Sequence, residues 1–405
     1  MYKNHPVVNK ALKDLNKNIP DNLIGIRGKL YNIKNFNHPG GNTFLEINKG
    51  CDVTHLFETH HINIKLAEKY LDSLESVGNY EMMFNYDYTK YNIIREQVFN
   101  KFKNTKSRYM NKYNKCILSI YLFIGIVSNS YLLTFKTFSF NFILFTIFNS
   151  IINSVLGGFG HNGLHKLELS TLLLDFNGLS TSEWLLEHVS SHHMYPNTIY
   201  DHDSLSMMPF LNWIPTEEKS IFSSGGKHII YLLAEIIVSI QGLLIHRFRM
   251  KFLTYSNLNI SKTVKYSPFI FILRVLLHLY FQGFYFGSIT LLLNLSFAGY
   301  YFSYLAHLNH GNSESKINEN YNHRDFIEHQ LNNTKDINID INEFINYLFL
   351  NLRKQCMHHL FPTIDHCHSD KIYEILKKND IKYKKDSLIN LNNQINNVFK
   401  KYSNK

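Results

Sequence analysis

Hydrophobic and polar positions divide the chain at residue 116. Residues 1–115 are polar on average, and the opening MYKNHPVVNKALKDLNKNIP lacks the apolar run of a secretory signal. Then CILSIYLFIGIVSNSYLLTF, residues 116–135, runs without a charge and is long enough to cross a hydrocarbon core of about 30 Å, which takes about 20 helical residues. A second uncharged run covers 138–158, and two more, 268–286 and 288–306, sit close together, the first interrupted by Arg274 and His278. The pattern predicts four membrane-spanning helices, and their length disfavours four buried helices of a soluble core. A fifth apolar stretch, 228–245, contains Glu235 and Gln241 and reads as an interfacial or re-entrant helix.

Charge orients this array. The 42 Lys and Arg outnumber the 32 Asp and Glu, a net charge of +10, and much of the excess lies beside the spans. KFKNTKSRYMNKYNK (101–115) precedes the first span, whereas the link to the second holds only Lys136. The positive-inside bias therefore predicts a cytosolic N-terminal part, with HRFRMK (246–251) and the tail from Lys371 on the same side. Four spans close this account, and a juxtamembrane excess of cations gives no reason to invoke nucleic acid. Mean hydropathy is −0.19 and 45% of residues are hydrophobic, too many for a disordered chain. Four cysteines in 405 residues make no disulfide framework, so a reducing compartment is expected. Asn, Lys and Ile are over-used everywhere, including INENYNHRD (317–325) and LINLNNQINN (388–397), which reads as compositional background.

The 22 histidines change the picture, because histidine is the commonest metal ligand. His161 and His165 follow the second span four residues apart, on one face of a helix that continues out of the membrane. His188, His192 and His193 form a second cluster in EHVSSHH, and His358 and His359 a third in QCMHHLFP. All three fall on the predicted cytosolic side. Seven imidazoles without a thiolate suit two iron ions better than one tetrahedral zinc, which needs four ligands. Upstream, the turn His38-Pro39-Gly40-Gly41 follows a strand-like GKLYNIKNF, and Asp52-Val53-Thr54 opens a short helix ending at His60-His61.

The stretch 30–74 resembles cytochrome b5, whose first axial histidine opens an HPGG turn and whose second ends a helix with an Asp-x-Thr cap. His60 and His61 both qualify as the second ligand. Domains of this kind fused to desaturases space the ligands close to 23 positions apart, and His61 is 23 positions from His38, so it is preferred. Two axial imidazoles leave no open iron position, so haem b held there carries electrons. The three histidine clusters, the b5-like start and Gln355 opening the third cluster resemble the front-end subgroup of membrane fatty acid desaturases. The contexts WLLEHVSSHHMYPNTIYDHDSLSMMP (184–209) and HQLNNTKDINIDINEFINYLFLNLRKQCMHHLFPTIDH (329–366) carry the likeness further.

The resemblance implies an α+β cytochrome b5-like haem domain (1–95), a basic linker (96–115), an all-α polytopic membrane domain with a histidine-box di-iron cap (116–375), and a cytosolic Lys/Asn-rich tail (376–405). It implies iron ligands His161, His165, His188, His192, His193, His358 and His359, with His310 as a further candidate and Gln355 at the subgroup's signature position. The reaction implied uses O2 and two electrons to desaturate a fatty acyl-CoA or acyl-phospholipid, with NADH-cytochrome b5 reductase as donor, in the endoplasmic reticulum membrane. Both termini would be cytosolic. Three positions depart from the family's pattern. Asn162 stands where the first box usually has Asp, which weakens an acceptor that orients an imidazole, and Cys356 and Met357 replace the usual Ile-Glu of the third box. Competing readings are a sphingolipid long-chain-base desaturase, a fused acyl hydroxylase, a membrane haem electron carrier with an inactive histidine cluster, and a metal transporter. The last needs ionisable residues along its spans, where only Arg274 and His278 occur.

Overall fold

The computed structural model describes residues 10–205, 227–240, 260–311 and 324–403. The basic cluster 246–251, the end of the second-box context after residue 205 and the loop 317–323 lie outside the described residues.

The N-terminal unit is built on a three-stranded antiparallel sheet, β1 (Leu23–Ile26), β2 (Lys29–Asn32) and β3 (Ser76–Asn79), in the order β1-β2-β3. Arg27 and Gly28 both have positive φ, 51° and 78°, the geometry of a tight hairpin between right-twisted strands. Short helices Thr43–Ile47, Thr54–His60 and Ile64–Asp72 cover the sheet. Asp52 caps the middle one as the Asp-x-Thr motif predicts, accepting from Thr54 N at 2.9 Å and from Thr54 Oγ1 at 2.6 Å.

The segment expected as a linker is folded. Helix Thr89–Lys101 runs through the expected boundary at 95/96, and Asn111 caps the first span by accepting from Asn114 N at 2.8 Å. Arg95, buried, donates to Glu58 Oε2 at 2.9 Å and to the Glu58 carbonyl at 2.8 Å, while Arg27 grips the same carboxylate at 2.6 Å. Breaking such a buried pair costs about 3–5 kcal/mol, so this helix is fastened to the N-terminal unit. On its other side Tyr91 Oη donates to the Leu360 carbonyl at 3.0 Å. The N-terminal unit is docked directly: Asn48 Nδ2 donates to Ser190 Oγ at 3.1 Å and Tyr86 Oη to the Met194 carbonyl at 3.0 Å. Two-residue strands β4 (Tyr86–Asp87) and β5 (Arg324–Asp325) add a parallel bridge.

Four helices are long and apolar enough to cross a membrane: Lys112–Leu132, Phe140–Leu164, Lys262–Gln282 and Phe284–His310. The last two meet at Gly283, whose φ of 77° turns the chain back on itself. Between spans, Asn294 Nδ2 donates to Asn149 Oδ1 at 2.7 Å, and from the third span Arg274 donates to the Phe176 carbonyl of the short helix Leu172–Asn177 at 3.0 Å, satisfying polar groups that lipid cannot. Helix Lys227–Ile240 overlaps the described part of the fifth apolar stretch. It lies along the fourth span, with Tyr231 Oη hydrogen-bonded to His307 Nδ1.

The Lys/Asn-rich tail is not a loose appendage. Helices Ser369–Lys378 and Leu388–Ser403 pack onto the body, and β7 (Lys385–Asp386) pairs in parallel with β6 (Asp336–Ile337). Leu391, Ile395 and Phe399 form a buried stripe at helical spacing, and the Phe399 ring meets His307 at 5.6 Å.

Candidate metal centres and haem pocket

The N-terminal unit encloses a cavity of about 380 Å³ between the HPGG turn and helices Thr54–His60 and Ile64–Asp72. Phe36, Phe44, Leu56, Phe57, Ala67 and Leu71 give it apolar walls. His38 and His61 face each across it, Nε2 to Nε2 at 3.5 Å, close to the roughly 4 Å that two opposed imidazole–metal bonds need. His61 Nδ1 donates to the Phe57 carbonyl at 2.9 Å, which leaves its Nε2 lone pair directed at the centre. Burial pushes the His61 pKa down to about 4 and lowers that of His38, so both are neutral at pH 7, as ligation requires. His60 also lines this cavity, but its ring packs between Phe44 and His165. The far wall of the cavity comes from outside the N-terminal unit, from Arg108, Tyr109, His165, Lys166 and Thr363.

The second span does continue beyond its apolar run, carrying His161 in its last turn and His165 at its C-cap. The second cluster is wound as a π-helix, Leu185–His192, with His193 N bonded to the His188 carbonyl at 3.0 Å. In an α-helix, 100° per residue would throw i+5 about 140° away from i; i→i+5 winding returns both His192 and His193 to the face of His188. His310 is the last residue of the fourth span, and His358 and His359 lie on helix Gln355–Leu360.

These elements bring eight histidines into two groups: His161, His165, His188, His193 and His358 in one, His192, His310 and His359 in the other. Within each group the candidate ligand atoms lie within 4.8 Å of one another. His161 Nε2 is 2.7 Å from His188 Nε2 and 3.0 Å from His358 Nε2, and His193 Nε2 is 3.0 Å from His188 Nε2. Burial first, then the neighbouring imidazoles, hold His165, His193, His358 and His359 well below the usual histidine pKa. Neutral lone pairs converging on one point have no reason to do so without a cation. Both His165 ring nitrogens and His359 Nε2 are buried with no hydrogen-bond partner.

Outer partners turn the rings inward. His188 Nδ1 bonds Asp203 Oδ2 at 3.0 Å, His192 Nδ1 bonds Asp201 Oδ2 at 2.9 Å, and His359 Nδ1 bonds Gln330 Oε1 at 3.0 Å. His358 Nδ1 meets His366 Nε2 at 2.8 Å, and His310 Nδ1 meets the Asn333 carbonyl at 3.1 Å. An Nδ1–H spent on an acceptor leaves Nε2 free for a metal, the usual arrangement around ligating histidines. Burial would raise the Asp201 pKa, but His192 and Ser204 overcome it and bring it down to about 2, so it stays an acceptor. The donor set of imidazoles, with their outer partners, fits two iron ions. Gln355 Nε2 sits 3.3 Å from His310 Nε2, beside the second group.

Sequence reading missed Asp201, Asp203, Gln330 and His366. The first two stand in YDHD, six residues beyond the second cluster, and His366 in DHCH after the third, a surplus of ligand-type residues that was the available signal.

The departures find local explanations. Asn162 Nδ2 donates to Asp365 Oδ2 at 2.6 Å rather than touching an imidazole. Burial opposes ionisation of Asp365, yet Lys166 and the Cys367 hydrogen bonds hold its pKa below the usual carboxylate value. Asn162→Asp would set two buried carboxylates together, and we expect it to cost about 2–4 kcal/mol, read as a lower Tm of the purified protein. An unchanged Tm would contradict this pairing. Cys356 Sγ lies 3.6 Å from the Thr334 carbonyl and 3.8 Å from that of Lys384, and it joins neither histidine group.

An acid limit follows from the buried neutral histidines. Burial lowers the pKa of His55, His60 and His329 to about 3, and of His61 and His366 to about 4. Between about pH 6.5 and 4 the unfolded chain takes up these protons and the folded chain does not, so stability falls as pH falls through this window. Each group contributes up to about 1.4 kcal/mol per pH unit. The metal-free protein should show a clearly lower Tm at pH 5 than at pH 7.5, and equal values would contradict the assignment of these rings as neutral.

A cavity of about 110 Å³ opens beside the histidines between helix Lys227–Ile240 and the fourth span. Trp184, Ala234, Val238, Phe302 and Ala306 line it, and it ends at His161, His188, His192, His310 and Gln355. An apolar slot ending at a metal-ready cluster is suited to an alkyl chain.

The profile described as "Cytochrome b5-like Heme/Steroid binding domain" matches residues 9–81. The profile described as "Fatty acid desaturase" matches residues 137–386, more than half of the chain. The chain belongs to the fatty acid desaturase family. It is therefore an oxygen-dependent desaturase, an oxidoreductase, with a fused b5-like domain and a multi-pass membrane part, and haem and a di-iron centre fit its two sites. "Probable Delta(5) fatty acid desaturase C" of Dictyostelium discoideum is 26% identical over 402 residues, covering 88% of this chain and 85% of that protein. "Acyl-lipid (8-3)-desaturase" of Physcomitrium patens is 24% identical, covering 67% and 60%. "Cytochrome b5-related protein" of Drosophila melanogaster is 25% identical over 201 residues, 48% of this chain and less than half, 45%, of that protein.

Proposed function

We propose that the chain is a front-end desaturase, placing a double bond between an existing one and the carboxyl end of a polyunsaturated acyl chain. The observation that carries this reading is the apolar slot ending between two groups of histidines. The Delta(5) and (8-3) in two relatives' names support the front-end position. The ligands of the two irons are His161, His165, His188, His193 and His358 for one, and His192, His310 and His359 for the other. His38 and His61 hold haem b. The bound irons supply an oxidant able to take hydrogen from a methylene.

The residues of this chain prepare that event. Phe302, Ala306 and Val238 exclude water and hold the acyl chain beside the imidazoles. Trp184 stacks on His188 at 4.9 Å and fixes the ring that ends the slot. Asp201, Asp203 and Gln330 keep the imidazole N–H groups turned outward. Two electrons and two protons, with the two hydrogens removed, balance reduction of O2 to two waters. The electrons come from NADH through cytochrome b5 reductase and the chain's own haem. The basic segment before the first span and the positive-inside bias support cytosolic termini, and this electron supply supports the endoplasmic reticulum membrane.

The acyl carrier is coenzyme A or a phospholipid. Expression in a yeast fed polyunsaturated fatty acids, with chromatography of its lipids, tests the function. A new double bond on the carboxyl side of an existing one is expected. A product confined to long-chain bases, or none from any fed acid, would overturn the proposal.

A further inference from the structure

His60 and His61 end the same helix, yet only His61 turns towards His38. The His60 ring lies between Phe44, at 5.7 Å, and His165, at 5.7 Å. Such centroid separations put ring edges near contact. His60 Nδ1 is held by Thr59 Oγ1 at 3.0 Å, and its Nε2 is buried with no hydrogen-bond partner. His60 and His165 both line the haem cavity, and His165 also belongs to the five-histidine group. The two redox sites thus share a wall in which His60 packs on His165, and the docked N-terminal unit is held in register there through Asn48–Ser190 and Tyr86–Met194.

We propose that His60 is the bridge by which electrons pass from the haem to the metal group containing His165. The inference rests on the proposed desaturase function. In each transfer one electron leaves ferrous haem, which becomes ferric, and reduces one ferric ion of the histidine centre to ferrous; no bond forms and no proton moves. The NADH-dependent reductase reloads the haem, and two transfers serve each double bond. Tunnelling is strongest through packed atoms, and the His60 ring packs on His165 with an Nε2 edge that carries no hydrogen bond to rearrange. His60 is a positioning residue in this scheme, since it ligates neither haem nor the histidine-bound iron.

The test uses full-length enzyme loaded with haem and iron, reduced without air and mixed with O2 and a fatty acyl substrate while haem absorbance is followed. His60→Ala should slow haem reoxidation by at least about tenfold, with haem content, spectrum and midpoint potential unchanged. His60→Phe, which keeps a ring against His165, should stay within about threefold of the natural rate. Reoxidation of His60→Ala at the natural rate would overturn the proposal. A measurement without any variant guards against misfolding: iron in the histidine centre should speed electron-spin relaxation of the ferric haem in the natural protein. Unaltered relaxation in a preparation that still forms double bonds would overturn the bridge alone, whereas a preparation that forms none would count against the function itself.

Discussion

Replacing His193 by alanine should lower desaturation by more than about a hundredfold, because changing even an outer partner of a metal ligand costs about 10–100-fold and His193 stands within the five-histidine group. Its Nε2 is 3.0 Å from His188 Nε2, and its ring stacks on His359 at 4.3 Å, so it also separates the two groups. Iron content should fall while the haem spectrum stays unchanged, since no His193 atom lines the haem cavity. Asp201→Asn, which alters only the acceptor behind His192, should cost less, about 10–100-fold. Metal analysis and product chromatography on the same preparations check both. Full iron and full activity in His193→Ala would remove it from the ligand set.

The second large effect is at the haem. His61→Ala should abolish haem absorbance and reduce NADH-driven desaturation to background while leaving the iron in place. The Nε2 atoms of His38 and His61 oppose each other across that cavity, 3.5 Å apart. His60→Ala should keep its haem, because that ring faces His165 instead. Retained haem absorbance in His61→Ala, with loss in His60→Ala, would exchange the two roles. The reduced spectrum of each purified variant decides the matter.

The spans and histidine clusters were legible because they rest on local periodicity: uncharged runs of about 20 residues, and imidazoles one helical turn apart. The preference for His61 over His60 rested instead on the resemblance to desaturase-fused b5 domains, whose ligands lie close to 23 positions apart. What stayed hidden depends on contacts between distant segments. Nothing in EHVSSHH announces a π-helix, since one residue of extra winding leaves no mark on the order of residues. His366 and Gln330 act only because helix Gln355–Leu360 brings His358 and His359 to them. Asn162 read as the loss of an acceptor, but the carboxylate it answers is Asp365, 203 positions away. The tail reads as Asn-rich background until the stripe of Leu391, Ile395 and Phe399 is seen against the fourth span. Docking of the N-terminal unit was hidden for the same reason: it joins Asn48 to Ser190 and Tyr86 to Met194, more than 100 positions apart.

The account stands on two metal sites of different chemistry in one folded body. The most direct test is the metal and haem content of the purified full-length protein, measured by elemental analysis and the reduced haem spectrum on the same sample. Three irons per chain are expected, one of them in haem and two outside it. Zinc in place of the non-haem iron, or haem without any further metal, would contradict the di-iron reading and leave a membrane haem carrier.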